Sequence, residues 1–186
     1  MNGEPTSAQN NSAKSTGSPA PSKNRVTVEQ LIASPANFLA LGAGSGLAPH
    51  APGTFGTLAA IPIAMLMPQN VAVYCAIVLV LFVAGVWLCD TCANNLGVHD
   101  HPAIVFDEWV GYLITMIAAP RSFLFLVLGF ALFRLFDILK PWPIGMADQR
   151  ISGGMGIMVD DVIAGVFAAI ALQLVIMLMG MFGVSF

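Results

Sequence analysis

Charge is what this chain has least of. Only 9% of its 186 residues are Asp, Glu, Lys or Arg, against about 25% in an ordinary soluble domain. So few charged side chains cannot coat a water-soluble globule, which excludes an ordinary cytosolic protein. Cations are scarcer still, seven against ten acids for a net charge of −3. No basic footprint exists for nucleic acid, which is therefore not an expected partner. Cysteine is also sparse. Cys75, Cys89 and Cys92 cannot form a paired disulfide framework, and their apolar setting predicts small buried hydrophobes.

What the chain does have is apolar bulk. Hydrophobic residues make up 57% of it, and its mean hydropathy is +0.81. This composition predicts a small polytopic membrane protein, a bundle of about four to five hydrophobic helices. Residues 1–25 stand apart, being mostly Ser, Asn, Pro, Ala, Thr and Gly. Such a segment cannot bury enough surface to offset its ordering entropy, so a disordered tail is expected there. No apolar stretch follows a basic start, so it does not read as a signal peptide. Residues 26–186 are expected to form one membrane-embedded domain.

Val71–Leu88 and Val162–Phe182 are the clearest spans. Between them, Pro102–Ala119 and Arg121–Leu139 reach 18 and 19 residues only with their polar flanks, and read as a helical hairpin turning at Pro120. Thr57–Met67 is a fifth, short run interrupted by Pro62, either crossing or re-entrant. Five crossings with the basic tail inside place Lys14, Lys23, Arg25, Lys140 and Arg150 in the cytoplasm and leave Arg121 outside. Stretches 41–56, 94–108 and 134–161 then share the cytoplasmic face. Every carboxylate after Glu29 and all three histidines lie at that face.

Four constellations carry chemistry. In His99-Asp100-His101-Pro-Ala-Ile-Val-Phe-Asp107-Glu108-Trp-Val-Gly, two acids run straight into an apolar helix. Charge at membrane depth costs about 2.5–3.5 kcal/mol per residue, so it is usually paired or functional. Glu108 shares a helix face with Gly111 and Tyr112. The competing structural role is a first-turn acid complementing the helix dipole. In Phe-Arg134-Leu-Phe-Asp137-Ile-Leu-Lys140-Pro, three charges lie near one face of a helix that Pro141 ends. An intrahelical ion-pair ladder is the alternative there. In Gly153-Gly154-Met-Gly156-Ile-Met-Val-Asp160-Asp161, a glycine-rich loop is expected to feed a helix opened by paired carboxylates. Bare amides at a helix start suit phosphate, and paired carboxylates suit a hard cation such as Mg²⁺; an N-cap is the bland role for Asp160. Residues 41–57, Gly-rich with Pro49, His50, Gly53, Thr54 and Thr57, have the composition of a phosphate loop but lack the Gly-Lys-Ser/Thr of a nucleotide-binding loop. Cys89-x-x-Cys92 near His99 and His101 suggests zinc superficially, but the surrounding oxygen donors favour a harder metal. One face with five carboxylates, two or three cations and glycine-rich turns fits metal-assisted phosphoryl chemistry at a membrane surface.

At these residues the sequence resembles the phosphatidylglycerophosphatase A family. The stretches GSGLAPHAPGTFGTLAAIP, LGVHDHPAIVFDEWVG, FRLFDILKPWPI and GGMGIMVDDVIAG carry the resemblance in order. It implies an all-α, Mg²⁺-dependent lipid phosphatase of the bacterial inner membrane, which hydrolyses phosphatidylglycerophosphate to phosphatidylglycerol and phosphate. By this resemblance the functional positions are Asp100, Asp107, Glu108, Arg134, Asp137, Lys140, Asp160 and Asp161, with the turn from Pro49 to Thr57.

The expected mechanism is attack by water assisted by Mg²⁺. No cysteine is followed by Arg six residues on, and no Asp-x-Asp-x-Thr string occurs. The expected metal ligands are Glu108, Asp137, Asp160 and Asp161. Arg134 and Lys140, with Thr54 and Thr57, are expected at the phosphate, and His99 or Asp107 at proton transfer. Asp100, Pro49 and Gly53 are expected to support the site. The alternative is a carrier or ion-coupled transporter using the same acids near the bilayer midplane. A CDP-alcohol phosphatidyltransferase would carry Asp-Gly-x-x-Ala-Arg, which is missing.

Overall fold

Long apolar runs away from water must satisfy their backbone within the segment, and this chain does so as helix. The computed structural model describes residues 25–98, 101–140 and 153–182. Their elements are α1 (Val28–Ile32), α2 (Pro35–Ala40), a 3-10 segment (Gly42–Leu47), α3 (Pro52–Leu66), α4 (Val71–Leu96), α5 (Phe106–Thr115), α6 (Phe123–Leu139) and α7 (Gly153–Met181). No strand occurs among the described residues, so the all-α class holds. Of the expected tail, only Arg25 lies among them.

Local chemistry sets the ends. Asn70 caps α4, its side chain accepting from the Val73 amide at 3.1 Å, and left-handed Gly97 closes that helix. Lys140, also left-handed, follows the last residue of α6, one residue before Pro141. The Gly153–Gly156 stretch departs from expectation, because it is already helical rather than a loop. The Gly154 amide donates to Asp90 Oδ1 on α4 at 3.0 Å. Asp160 and Asp161 therefore sit two turns inside α7, and Asp160 is not its N-cap. Likewise α3 begins at Pro52, so Gly53, Thr54 and Thr57 belong to a helix rather than to a turn.

Among the described residues, two helices are long and apolar enough to cross a bilayer, α4 with 26 residues and α7 with 29. Leu79, Val80, Val83 and Trp87 of α4 and Ile170, Leu174 and Met177 of α7 are exposed. Outward apolar surface on this scale associates the chain with a membrane. The expected hairpin crossings come out shorter. α5 has 10 residues, about 15 Å of helix, half of a bilayer core of about 30 Å. It stops at Thr115, and the chain then turns left-handed at Ala118, two residues before Pro120. α6 has 17 residues. Cys75 also departs from expectation: it is exposed on α4, whereas Cys89 and Cys92 are buried.

α7 packs against α4, α5 and α6. It lies close against α5, where a Cβ on Gly165 would run into the Gly111 carbonyl. Small residues let the two backbones meet. Several polar groups inside this apolar body are matched. Tyr74 Oη donates to the Leu113 carbonyl at 2.8 Å, Tyr112 Oη to Leu126 at 3.0 Å and Gln173 Nε2 to Ile117 at 2.9 Å. Arg121, away from the acidic residues, is clasped by the Met67 and Pro68 carbonyls. The α5–α7 contact predicts that Gly165→Val costs about 1–3 kcal/mol through overpacking. Gly180→Ala, which meets nothing within 4 Å, should be neutral. Thermal unfolding of both variants in detergent checks this, and an unchanged melting temperature for Gly165→Val would refute the contact.

Candidate active site

Three separated stretches meet at the end of the bundle where α7 begins. They enclose a cavity of about 300 Å³. Ala51 and Gly53 come from the start of α3, Asp107 and Glu108 from the first turn of α5, Arg134 and Asp137 from the last turns of α6, and Asp160 and Asp161 from α7. Lys140 and Pro102 complete much of the rim. Of the three stretches expected to share a face, each contributes to this one cavity.

Arg134 is the hub. Its Nη1 lies 2.7 Å from Asp137 Oδ2, one turn along its own helix, and 3.3 Å from Glu108 Oε1 on α5. The intrahelical pair expected as the alternative role is thus present, but the same guanidinium also reaches across to a second helix. Lys140 Nζ contacts Asp160 Oδ2 at 2.8 Å. Asp161 is almost fully buried and has no ion pair among the described residues. Asp107 Oδ1 accepts from the Glu108 amide at 3.0 Å, and Asp160 Oδ1 from the Asp161 amide at 3.0 Å. Five carboxyl groups and two cations line the cavity among the described residues. Among the described residues, no three His, Cys, Asp or Glu side chains converge tightly enough to hold a metal ion as they stand.

Glu108 is held from behind by backbone. A Cβ on Gly53 would overlap Glu108 Oε1, and one on Gly56 would overlap Oε2. Only glycine at both positions lets α3 lie flat against the carboxylate. Oε2 is buried with no hydrogen-bond partner, an expensive state for a polar atom unless a ligand completes it.

Asp107, Glu108, Arg134, Asp137, Lys140, Asp160, Asp161 and Gly53, all singled out from sequence, line the cavity. Thr54 and Thr57, expected at the phosphate, do not. Thr57 is fully buried and its hydroxyl donates to the Gly53 carbonyl at 2.9 Å, because α3 turns that face inward. Pro49 lies on a neighbouring cavity. His99 and Asp100 fall outside the described residues. Cys89 and Cys92 are buried core residues, Cys89 with its sulfur 3.8 Å from Met158 Sδ. Sequence reasoning missed Gly56 as the second half of the shelf behind Glu108. The signal was its spacing of three from Gly53, which puts both on one helix face.

The phosphatidylglycerophosphatase A family model matches residues 38–176. The chain belongs to the phosphatidylglycerophosphatase A family. Phosphatidylglycerophosphatase A of Escherichia coli K12 is 46% identical over 142 residues, covering 74% of this chain and 81% of that protein. The protein of the same name from Haemophilus influenzae is 42% identical, covering 75% and 87%. A Bacteroides thetaiotaomicron protein, provisionally named a phosphatidylinositol-3-phosphatase, is 37% identical, covering 72% and 88%. No solved structure matches the chain. Membership makes the chain an enzyme, a phosphatase, and disfavours the carrier alternative. The matched region contains every cavity residue named above.

The glycine shelf generates a test. Gly53→Ala should push the Glu108 carboxylate off its position and lower phosphatase turnover by about 10²-fold, the usual cost of a displacement of about 1 Å at a reacting centre. Turnover and melting temperature measured together check it. Full activity in the folded variant would show that Glu108 tolerates the move.

Proposed function

We propose that this chain hydrolyses the terminal phosphate of phosphatidylglycerophosphate, releasing phosphatidylglycerol and inorganic phosphate. The observation that carries the reading is the meeting of Glu108, Arg134, Asp137, Lys140, Asp160 and Asp161 around one cavity. The names of its relatives supply the substrate. We further propose a multi-pass protein of the bacterial inner membrane with this cavity at the cytoplasmic side. The α4 end and the α7 start meet there, and the cations Arg134 and Lys140 favour the inner face.

The donor set suits Mg²⁺. All the charged acceptors are oxygens, and Glu108 Oε2 is an unfilled buried acceptor. Mg²⁺ uses one or two carboxylates, keeps several waters and takes substrate phosphate as a further ligand, so it does not need a ready-made cage of three. Glu108 and Asp161, with Asp137 and Asp160, would hold it; when bound, the ion offsets carboxylate charge and polarises the phosphoryl oxygens.

The chain's own residues then have distinct tasks. Arg134 and Lys140 are both paired to carboxylates. An entering phosphomonoester competes for those cations and gives them charge that grows on the transferring group. The guanidinium offers a planar fork, the ammonium a point charge. Asp107 lies on the same wall and is suited to take a proton from the attacking water as the new O–P bond forms. The bond from phosphorus to the glycerol oxygen breaks, and that oxygen leaves with a proton from solvent or the cavity wall.

The test is phosphate release from phosphatidylglycerophosphate by purified protein in detergent, with Mg²⁺ and with EDTA. Asp161→Asn and Glu108→Gln should lower turnover by at least about 10³-fold while the protein stays folded, since a neutral amide is less costly to bury than a charge. EDTA should abolish release. Wild-type turnover in either variant would remove that residue from the site, and release that persists in EDTA would sink the Mg²⁺ assignment.

A further inference from the structure

The end of the bundle opposite the acidic cavity holds a cavity of its own, of about 420 Å³. α3 and α5 begin at the acidic cavity and α6 ends there, so the end of α3, the end of α5 and the start of α6 lie at the far end. Pro68 and Gln69 follow α3, Val71 and Tyr74 open α4, and Met116 and Arg121 belong to the turn between α5 and α6; all six line the far cavity. Arg121 supplies its charge. Nη1 donates to the Met65 carbonyl at 3.4 Å and to that of Met67, and Nη2 donates to the Pro68 carbonyl at 2.6 Å. The guanidinium carbon lies 5.9 Å from the centre of the Tyr74 ring. These contacts cap the carbonyl end of α3. They are all uncharged, so they orient the cation without neutralising it. They also leave two of its five N–H groups, the one on Nε and the second on Nη2. Nε and Nη2 share one edge of the planar group, which matches two oxygens of a phosphate.

Apolar surface flanks the far cavity. Leu66 at the end of α3 and Phe123 and Leu124 at the start of α6 are exposed. A cation at the ends of apolar helices lies at headgroup level, with the acyl chains beside those side chains. A soluble anion would use only the guanidinium. A phospholipid meets both the charge and the apolar flank. We propose that the far cavity binds an anionic phospholipid, whose phosphate takes the open edge of Arg121 and whose chains lie along Leu66, Phe123 and Leu124. With the acidic cavity at the cytoplasmic side, this lipid comes from the outer leaflet. It fastens the turn between α5 and α6 to the end of α3, adding to the clasp that Arg121 makes by itself. The site stands apart from the acidic cavity and does not depend on the phosphatase reading.

Dioleoylphosphatidylserine is a suitable probe, because it carries one net negative charge and has no phosphomonoester to cleave. Melting of the full-length protein in an uncharged detergent is followed as this lipid is added. It should raise the melting temperature, and dioleoylphosphatidylcholine, with no net charge, should not. Arg121→Gln should raise the half-saturating concentration of phosphatidylserine about tenfold, the loss of one charge-assisted contact. Gln69→Glu leaves the clasp intact and puts a competing carboxylate on the exposed rim; it should weaken the lipid in the same direction. If Arg121 does no more than cap α3, Arg121→Gln lowers the lipid-free melting temperature and keeps the wild-type response to phosphatidylserine, which overturns the site. Equal stabilisation by phosphatidylcholine overturns it, as does an unchanged response in Gln69→Glu. Inorganic phosphate that saturates the effect at lower concentration than the lipid would assign the cavity to a soluble anion instead.

Discussion

The arrangement depends on Arg134 bridging two carboxylates from different helices. Its guanidinium contacts Asp137 on α6 and Glu108 on α5, and Glu108 in turn lies on the glycine shelf of α3. One cation therefore ties three helix ends together. In an apolar body, removing it would leave two carboxylates unpaired, a far greater cost than losing a surface ion pair.

The bundle around this cluster is built for close approach rather than for bulk. Gly111 and Gly165 bring α5 against α7, and Gly154 brings the start of α7 against α4. These contacts set the depth at which Asp160 and Asp161 face Asp107 and Glu108 across the cavity. Asp90 contributes by accepting the Gly154 amide, which anchors the first turn of the helix that carries both aspartates. The geometry of the acidic cavity is thus a consequence of backbone packing up to two turns away.

Legibility from sequence differed by residue. Asp107, Glu108, Arg134, Asp137, Lys140, Asp160 and Asp161 stand out because charge is rare in an apolar chain and costly at depth. Their meeting at one cavity follows from helix ends that share a face. Thr54 and Thr57 misled because a Gly-, Pro- and Thr-rich stretch resembles a phosphate loop in composition, whereas Pro52 is well placed as the first residue of a helix. The hairpin of two crossings shortened because hydropathy counts residues without registering that α5 ends at Thr115.

The sequence by itself determined the apolar, helical character of the chain, the chemical identity of the acidic and basic groups, and the family. These follow from composition and from long ordered motifs, which need no coordinates. Only the tertiary structure decided which carboxylates take Arg134 and Lys140 as partners and which threonines turn inward. Those outcomes depend on helix rotation and on sub-ångström backbone clearance at Gly53, Gly56 and Gly165. A linear pattern does not encode either quantity, because both are set by all the neighbouring helices at once.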